Sequence, residues 1–540
     1  MPQERLPTPD RRTSGGTIQQ SLGSIARVVL WTLAFGVAVT LYHKGSEIHQ
    51  VLRIGAGYKA KILCSAVFVS GRSPESVLAE DLAVDDLWPL RFIPSELDRE
   101  RGTVQAGFAG MFQAGARYRE GHGCTVMPDV SDSANLSGSG GHDARTSRVP
   151  PRRPPSGSSP CGGDRSAPWP ADCGPGTERP LPTSGPSGHL LPEGEGKNVR
   201  PSIAKFCVGG GERAAAPAAC AESSSELQAA LDWGFAEPDP ERLRRTRALL
   251  VMQDGKLVAE RYAPGFGPDT PLAGWSMAKT ALNALVGVLV GQGELHLEAP
   301  VHVPEWQGDA RSHITLDQLL RMSSGLEFSE EYGDLLQDVT VMLLLQPSAA
   351  AFAAAKPLVY PPGSHWYYAS GTSNILSRLI RTSVGEDRYR RLSRDALFGP
   401  LGMDSAVLEL DATGDYVASS FMYATARDWA KLGQLLVQDG VWQGRRMLPA
   451  GWVRYSTTPV PADLNGEYGA HLWLKIPESL RGPDPVPLPP DSFHAIGFES
   501  QFVTVVPSRR AVLVRLGLTR QPGAWRQDRW VQRVLDALPK

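Results

Sequence analysis

A long segment that cannot bury a core divides this chain. From Pro128 to Pro201 the residues are mostly Pro, Gly, Ser and Arg, as in VPPRRPPSGSSPCGG, with almost no apolar periodicity. Such a composition cannot bury enough apolar surface to offset the conformational entropy lost on folding. We predict a disordered linker over residues 128–221, between a small region of unknown fold at 45–127 and a large domain at 222–540. The alternative is an out-of-frame translation of a GC-rich gene, which the other two reading frames would reveal.

The charge balance and the cysteines exclude some classes of function. Lys and Arg total 55 against 57 Asp and Glu, so the chain lacks the basic field that holds nucleic acid. The cysteines have neither CxxC nor Cys/His ligand spacing, which argues against a structural zinc site. None follows Cys220, so the large domain is expected to fold without disulfides. The cysteines are Cys64, Cys124, Cys161, Cys173, Cys207 and Cys220.

An apolar stretch near the N-terminus predicts a membrane segment. Val28 to Tyr42 is uncharged and mostly apolar, with basic residues on both sides. Its length lies between a signal-peptide core and a membrane span of about 20 residues. No clear small-x-small cleavage site follows it, and flanking basic side chains can snorkel. We predict that a tail at 1–23 precedes a signal anchor or transmembrane helix at 24–43; a cleaved signal peptide is the alternative.

Apolar patterns beyond residue 222 predict an α+β domain. ALLVMQDGKLVAERYA, at 248–263, predicts a hairpin that turns near Asp254-Gly255. QFVTVVPSRRAVLVRLG predicts a second hairpin near the C-terminus, AHLWLKIP predicts a strand, and RQDRWVQRVLDALP predicts a final helix. Helical patterns dominate residues 316–384. Strands at both ends with helices between them indicate a sheet completed by C-terminal strands. In the 45–127 region, VQAGFAGMFQAGARYRE has helical patterning.

The stretch GWSMAKT, at 274–280, contains a candidate nucleophile. A serine hydroxyl needs a base within hydrogen-bond reach, and positions i and i+3 share a helix face, which would place Lys279 beside Ser276. A helix N-terminus also supplies N–H groups for an oxyanion. The motif alone is weak, because Ser202-Ile203-Ala204-Lys205 repeats it. An α/β-hydrolase elbow, G-x-S-x-A, is an alternative, although turn-rich PGFGPDTPLAG precedes the serine where that elbow requires a strand.

Further motifs follow in a recognisable order. Tyr368-Ala369-Ser370 precedes a predicted helix, and Ala495-Ile496-Gly497 begins a predicted C-terminal strand. Together with ITLDQLLRMSSGLEF, LFGPLGMDSA, FMYATARDWAKLGQLL and EYGAHLWL, they make residues 230–535 resemble the serine β-lactamase-like hydrolases. Within that superfamily the chain is most similar to class C β-lactamases, family VIII carboxylesterases and 6-aminohexanoate-dimer hydrolases. The resemblance implies a serine β-lactamase-like fold, with an antiparallel sheet flanked by helices and a helical subdomain. It does not cover residues 45–127.

The resemblance also implies roles for individual residues. Ser276 would be the acylated nucleophile, Lys279 its proton partner and Tyr368 a second general acid or base. Whether the lysine or the tyrosine accepts the serine proton stays open, because each would need a shifted pKa. The oxyanion hole would be the backbone N–H groups of Ser276 and Phe498. Substrate contacts would come from Ser370, Gly497 and Trp275.

Two departures from the family pattern shape the expected substrate. The chain has no Lys-Thr-Gly or Lys-Ser-Gly, and Ala495 and Ile496 cannot bind a carboxylate as those polar residues do. The tyrosine motif also ends in Ser370 rather than Asn. Both departures favour a small ester or amide substrate without a mandatory carboxylate.

We therefore expect a bacterial serine hydrolase without metal or organic cofactor, held at the inner membrane with its catalytic domain in the periplasm, or else secreted. Alternatives are a β-lactamase, a D-Ala-D-Ala carboxypeptidase-like penicillin-binding protein, or a catalytically silent cell-envelope binding protein. A chain that begins near residue 222 is expected to fold and react.

Overall fold

The computed structural model describes residues 44–108, 111–128, 224–332 and 334–540, all within one compact unit. The predicted tail at 1–23, the membrane segment at 24–43 and, apart from Pro128, the linker at 128–221 lie outside the described residues. Among the residues described, no helix is both long and apolar enough to cross a membrane.

The strands belong to separate antiparallel sheets, and most of the long helices pack on the largest sheet. The strands are β1 Ser95–Asp98, β2 Thr103–Phe108, β3 Met111–Arg119, β4 Gly123–Met127, β5 Thr246–Gln253, β6 Lys256–Tyr262, β7 Leu272–Ala273, β8 Val407–Leu408, β9 Met422–Ala424, β10 Val441–Trp442, β11 Arg445–Arg446, β12 Phe493–Gly497, β13 Gln501–Val506 and β14 Ala511–Gly517. The helices are α1 at 44–68, α2 Pro74–Glu80, α3 Ser225–Phe235, α4 Ala278–Gly291, α5 Leu316–Leu320, α6 Asp338–Leu345, α7 Ala349–Ala354, α8 Ser370–Val384, α9 Glu386–Leu392, α10 Gly399–Leu401, α11 Ala426–Val437, α12 Trp452–Ser456 and α13 Gln527–Ala537.

The central sheet has five strands in the order β12-β13-β14-β5-β6. Both predicted hairpins are confirmed, and the first turns at Asp254 and Gly255, which have φ values of 54° and 73°. Val514 of β14 pairs with Leu250 of β5, so the C-terminal strands complete the sheet as predicted. Because every pairing is antiparallel, the α/β-hydrolase alternative, which needs a mostly parallel sheet, is wrong.

Side chains that alternate along the strands give the sheet two buried faces. Leu250 and Val512 join the core that contains α4 and α11, whereas Leu249 and Leu513 join the core formed with α3 and α13. The predicted C-terminal helix is confirmed as α13. Helix α4 is buried along nearly its whole length, so the helix that follows the candidate nucleophile lies inside the protein.

The predicted strand in AHLWLKIP is wrong. His471 has a φ of 55°, which turns the chain, and Trp473 forms only isolated bridges with Tyr468 and His494. The segment is apolar because it packs beside β12, and apolarity alone does not distinguish a buried irregular segment from a strand.

Residues 44–128 form a helix-and-sheet segment, here called the N-terminal segment. Helix α1 packs on a four-stranded sheet in the order β1-β2-β3-β4, and Cys64 of α1 forms a disulfide with Cys124 of β4. The predicted helical pattern over 104–120 is wrong, because within this range residues 104–108 belong to β2 and Met111–Arg119 form β3. Val104 and Ala106 are buried in alternation, which is the period of a strand.

The N-terminal segment shares buried contacts with the rest of the compact unit. Its apolar core includes Trp275, Val417 and Phe421. Asp81 accepts hydrogen bonds from Arg247 at 2.6 and 2.9 Å. Lys61 and Glu409 form an ion pair in which both side chains are fully buried. The unknown fold of the 45–127 region is therefore an α+β segment packed against the large domain.

Candidate active site

The predicted nucleophile lies on a tight turn before a buried helix. Strand β7 leads into a 3-10 turn over Trp275–Met277, and α4 starts at Ala278. A Cβ added to Gly274 would lie 2.1 Å from Trp429 Cζ2, so only glycine fits there. Ser276 is half-buried in this first turn, where backbone N–H groups have no intrahelical acceptor. The predicted position of Ser276 at a helix N-terminus is confirmed.

Lys279 is buried beside the serine. Its side chain is 1% exposed, and Nζ lies 3.2 Å from Ser276 Oγ, 2.9 Å from Ser370 Oγ and 2.9 Å from the Ser419 carbonyl oxygen. Within the part of the chain that the structure describes, Lys279 forms no ion pair. Burial lowers its pKa to about 8, although the Glu330 carboxylate opposes this shift. A substantial fraction of the amine is therefore neutral in mildly basic solution.

The neighbours of Lys279 determine where a neutral amine would direct its lone pair. The Ser419 carbonyl can only accept a hydrogen bond, and Ser370 Oγ donates its own proton to Glu330 Oε1 at 2.8 Å, so it accepts from Lys279. Those two contacts use both N–H groups of a neutral amine. The remaining direction points to Ser276 Oγ, where the lone pair can accept the hydroxyl proton.

Tyr368 lies next to both Lys279 and Ser276. The Lys279 ammonium is 4.7 Å from the centre of its ring, and Trp473 stacks on the ring with centroids 5.3 Å apart. Burial, reinforced by the Glu330 carboxylate, raises the pKa of Tyr368 well above its usual value, against the opposing effect of its interaction with Ser276. A tyrosine with a raised pKa keeps its proton at neutral pH and can donate it. The geometry thus favours Lys279 as base and Tyr368 as acid.

Glu330 belongs to the site, and the sequence did not identify it. Its carboxylate accepts from the Ser370 hydroxyl, from the Ser370 N–H at 2.5 Å and from the Tyr332 hydroxyl at 2.7 Å. Ser370 is 1% exposed and lies between Lys279 and Glu330, so it orients the lysine; a substrate contact stays a prediction. The sequence signal was the acidic and aromatic run FSEEY after SSGL, but no spacing rule links that run to Ser276.

The structure brings the two predicted oxyanion donors onto adjacent turns. A Cβ on Gly497 would lie 2.1 Å from the Gly274 carbonyl oxygen, so the end of β12 touches the nucleophile turn. Phe498 directly follows Gly497, so its backbone N–H belongs to the segment that touches the nucleophile turn. Donors of this kind stabilise the negative charge of a tetrahedral intermediate.

Trp275 packs inward instead of lining an open cleft. Its side chain is 9% exposed, stacks on Tyr58 of the N-terminal segment and donates from Nε1 to Glu499 Oε2 at 2.9 Å. Its predicted contact with a substrate stays a prediction, because the indole has little free surface.

Activity toward an ester is expected to rise with pH through a midpoint near 8. Above the pKa of Lys279, which burial lowers to about 8, the neutral amine that accepts the Ser276 proton predominates. Tyr368 stays protonated there. The buried His471 and His494 stay neutral, because burial lowers the pKa of each to about 3.

A profile of kcat/KM between about pH 6 and pH 10, with spontaneous hydrolysis subtracted, measures this midpoint. A flat profile, or activity that falls as the pH approaches 8, would show that Lys279 is not the base.

The chain is similar to known proteins in sequence and in fold. The model of the beta-lactamase family matches residues 235–537. A 6-aminohexanoate-dimer hydrolase of Paenarthrobacter ureafaciens is 27% identical over 220 residues, which is 38% of this chain and 56% of that protein. The chain thus spans only about half the length of this curated relative.

Solved structures with a similar fold include a family VIII carboxylesterase and a penicillin-binding protein homologue from Caulobacter crescentus. The first is 18% identical, with coverage of 59% of this chain and 97% of that chain and a TM-score of 0.44. The second is also 18% identical, with coverage of 58% and 96% and a TM-score of 0.43.

Proposed function

The chain belongs to the beta-lactamase family, and from this premise we propose that it is a serine hydrolase that forms an acyl-enzyme on Ser276 and cleaves small esters or amides. One observation carries the proposal: Lys279 is buried, free of ion pairs among the described residues and 3.2 Å from Ser276 Oγ. Such a lysine can change its protonation state during a reaction at mildly basic pH.

The proposed reaction begins when Ser276 Oγ attacks the substrate carbonyl carbon and its proton passes to Lys279 Nζ. The carbonyl oxygen becomes an oxyanion that accepts hydrogen bonds from the N–H groups of Ser276 and Phe498. The bond to the leaving alcohol or amine then breaks, and the leaving atom takes a proton from Tyr368, which the lysinium reprotonates, or directly from the lysinium; either way Lys279 is neutral again. A water molecule attacks the acyl-enzyme while Lys279 accepts a proton from that water. Lys279 then returns this proton to Ser276 Oγ as the bond between Oγ and the acyl carbon breaks, so that the acid and the free serine are released.

The strand that leads to Phe498 supports a substrate that needs no carboxylate. Ala495 and Ile496 of β12 are buried in the cores on the two faces of the sheet and carry no polar side-chain atoms. At the mouth of the site, Tyr332 is 55% exposed, and its ring lies 5.2 Å from that of Phe498. Tyr367 is also exposed, and its hydroxyl accepts from the Glu330 N–H. Aromatic side chains at an entrance favour apolar or amphipathic substrate groups. The name of the curated relative, a 6-aminohexanoate-dimer hydrolase, supports the inclusion of amides.

The competing functions differ from this proposal in their physical requirements. A β-lactamase or a D-Ala-D-Ala carboxypeptidase must bind a carboxylate, for which Ala495 and Ile496 are unsuited. A catalytically silent binding protein has no need to bury a lysine that has no ion-pair partner among the described residues, because the desolvation of its charge is costly.

The competing activities can be separated by two chromogenic substrates. We expect the protein to hydrolyse p-nitrophenyl acetate with a kcat/KM at least about 100-fold above that for nitrocefin, because no polar side chain of β12 binds a carboxylate. Ser276→Ala is expected to abolish both activities. Nitrocefin as the preferred substrate would contradict the proposed substrate class.

We also propose that the protein works outside the cytoplasm, with an anchor at residues 24–43. The Cys64–Cys124 disulfide supports this location, because disulfides persist mainly in oxidising compartments. Peptide mapping without reduction on protein from its native host is expected to recover Cys64 and Cys124 as a linked pair. Recovery of both as free thiols would contradict the proposed location.

A further inference from the structure

The residues next to the two oxyanion donors share an unusual backbone. Trp275, directly before Ser276, has a φ of 48°, and Glu499, directly after Phe498, has a φ of 61°. Residues with side chains rarely adopt this left-handed conformation, and such residues concentrate at functional sites. Each oxyanion donor is therefore attached to a strained neighbour.

The side chains of these two neighbours bind each other. Trp275 Nε1 donates to Glu499 Oε2 at 2.9 Å, and the Glu499 side chain is buried. The other carboxylate oxygen, Oε1, accepts from Arg520 Nη1 at 3.1 Å, and Arg520 pairs in turn with Asp86 of the N-terminal segment. Tyr58 of the same segment lies parallel to the Trp275 indole, with ring centroids 6.4 Å apart.

The backbone at Glu499 is held independently of its carboxylate. The Glu499 carbonyl accepts from Arg515 Nη1 at 2.9 Å, from Gln501 Nε2 at 3.2 Å and from the Thr519 N–H at 3.2 Å. A change confined to the carboxylate therefore leaves the turn formed but removes its side-chain link to the nucleophile turn.

We propose that Glu499 is a positioning residue that ties the Phe498 turn to the Ser276 turn through Trp275, and so sets the spacing of the two oxyanion donors. The hydrogen bond between Glu499 and Trp275 is here called the clasp. This inference rests on the proposed function, because it assumes that an oxyanion forms between those donors. The Glu499–Trp275 bond is formed between two side chains with little exposed surface. Its contribution is to the transition state, in which the oxyanion needs both donors at hydrogen-bond distance.

The test compares two clasp variants, Trp275→Phe and Glu499→Met, each of which removes one partner of the hydrogen bond, with a matched control, Trp306→Phe. Trp306 is also fully buried and donates from Nε1, to the Ala354 carbonyl at 2.9 Å, but it lies outside the site. Each clasp variant is expected to lower kcat for p-nitrophenyl acetate on the order of 10- to 100-fold with little change in KM, and the double variant to be no worse than the poorer single one. The control is expected to keep the wild-type kcat.

Amide hydrogen exchange gives a readout that does not depend on activity. Either clasp variant is expected to speed exchange in both turns, 274–278 and 497–500, whereas the control variant leaves them unchanged. If exchange becomes faster in both turns of the variants but the wild type does not hydrolyse p-nitrophenyl acetate, the proposed function is refuted and the clasp is still supported. Three results would overturn the clasp even if the enzyme is active. They are additive losses of kcat in the double variant, effects of the single variants on KM alone, and faster exchange in only one of the two turns.

Discussion

Replacing Lys279 with methionine is expected to lower kcat/KM for p-nitrophenyl acetate by about 10²- to 10⁴-fold without unfolding the protein. The change removes the amine that lies 3.2 Å from Ser276 Oγ and keeps an unbranched side chain of similar length in a buried position. The melting temperature is expected to stay close to that of the wild type, because the ammonium that is lost had no ion-pair partner among the described residues. Steady-state kinetics and a thermal melt on the same preparation measure both quantities.

The matched control is Lys59→Met. Lys59 is also a buried lysine, and its Nζ donates to the carbonyl oxygens of Leu90 and Ile93 within the N-terminal segment. This variant is expected to retain wild-type activity per folded molecule. If Lys279→Met kept activity within about threefold of the wild type, the assignment of Lys279 as the base would be wrong.

Replacing Lys61 with methionine is expected to lower the free energy of unfolding by about 3 to 5 kcal/mol. Lys61 and Glu409 are fully buried, and the loss of the lysine leaves the carboxylate without its ion-pair partner. Ser65 and the Cys124 N–H also bind Glu409, at 2.9 and 2.6 Å, but neither carries a charge. Urea denaturation of wild type, Lys61→Met and the double variant with Glu409→Gln measures the effect.

The double variant serves as the control, because a neutral glutamine needs no cation. It is expected to recover most of the stability lost by the single variant, since the glutamine carbonyl can still accept from Ser65 and Cys124. Equal stability of Lys61→Met and wild type would show that the buried pair does not hold the N-terminal segment in place.

The same pair connects the N-terminal segment to Lys279. The Glu409 N–H donates to the Phe421 carbonyl, and the Glu409 carbonyl accepts from the Val417 N–H, so Glu409 braces the turn that holds the Ser419 carbonyl against Lys279. The sequence predicted that a chain starting near 222 would fold and react. The structure gives the opposite expectation, because such a chain leaves the buried Glu409 and Arg247 without their partners Lys61 and Asp81.

The sequence predicted the parts of the site that depend on local geometry or on ordered motifs. Lys279 follows Ser276 by three residues, so helix geometry alone places them together. The roles of Tyr368 and Phe498 were predicted from the order of the motifs that carry the family resemblance. The hairpin at Asp254-Gly255 was predictable because its turn chemistry is local.

The sequence could not predict the parts that depend on long-range packing. Glu330 reaches Ser370 across 40 residues, and Lys61 reaches Glu409 across 348 residues. The Cys64–Cys124 disulfide needs the β1–β4 sheet. The Ala- and Gly-rich stretch at 104–120 has a helical pattern, although strand pairing holds its residues 104–108 and 111–119 in that sheet. A single sequence contains no signal for such pairings.

The measurement that tests the central claim most directly is the mass of the intact protein after reaction with a fluorophosphonate, followed by peptide mapping of the adduct. The proposed nucleophile predicts one adduct on the peptide that contains Ser276. Ser276→Ala should lose the adduct, whereas Ser202→Ala, which alters the second Ser-x-x-Lys of the chain, should label as the wild type does. An unlabelled wild type, or undiminished labelling of Ser276→Ala, would contradict catalysis through Ser276.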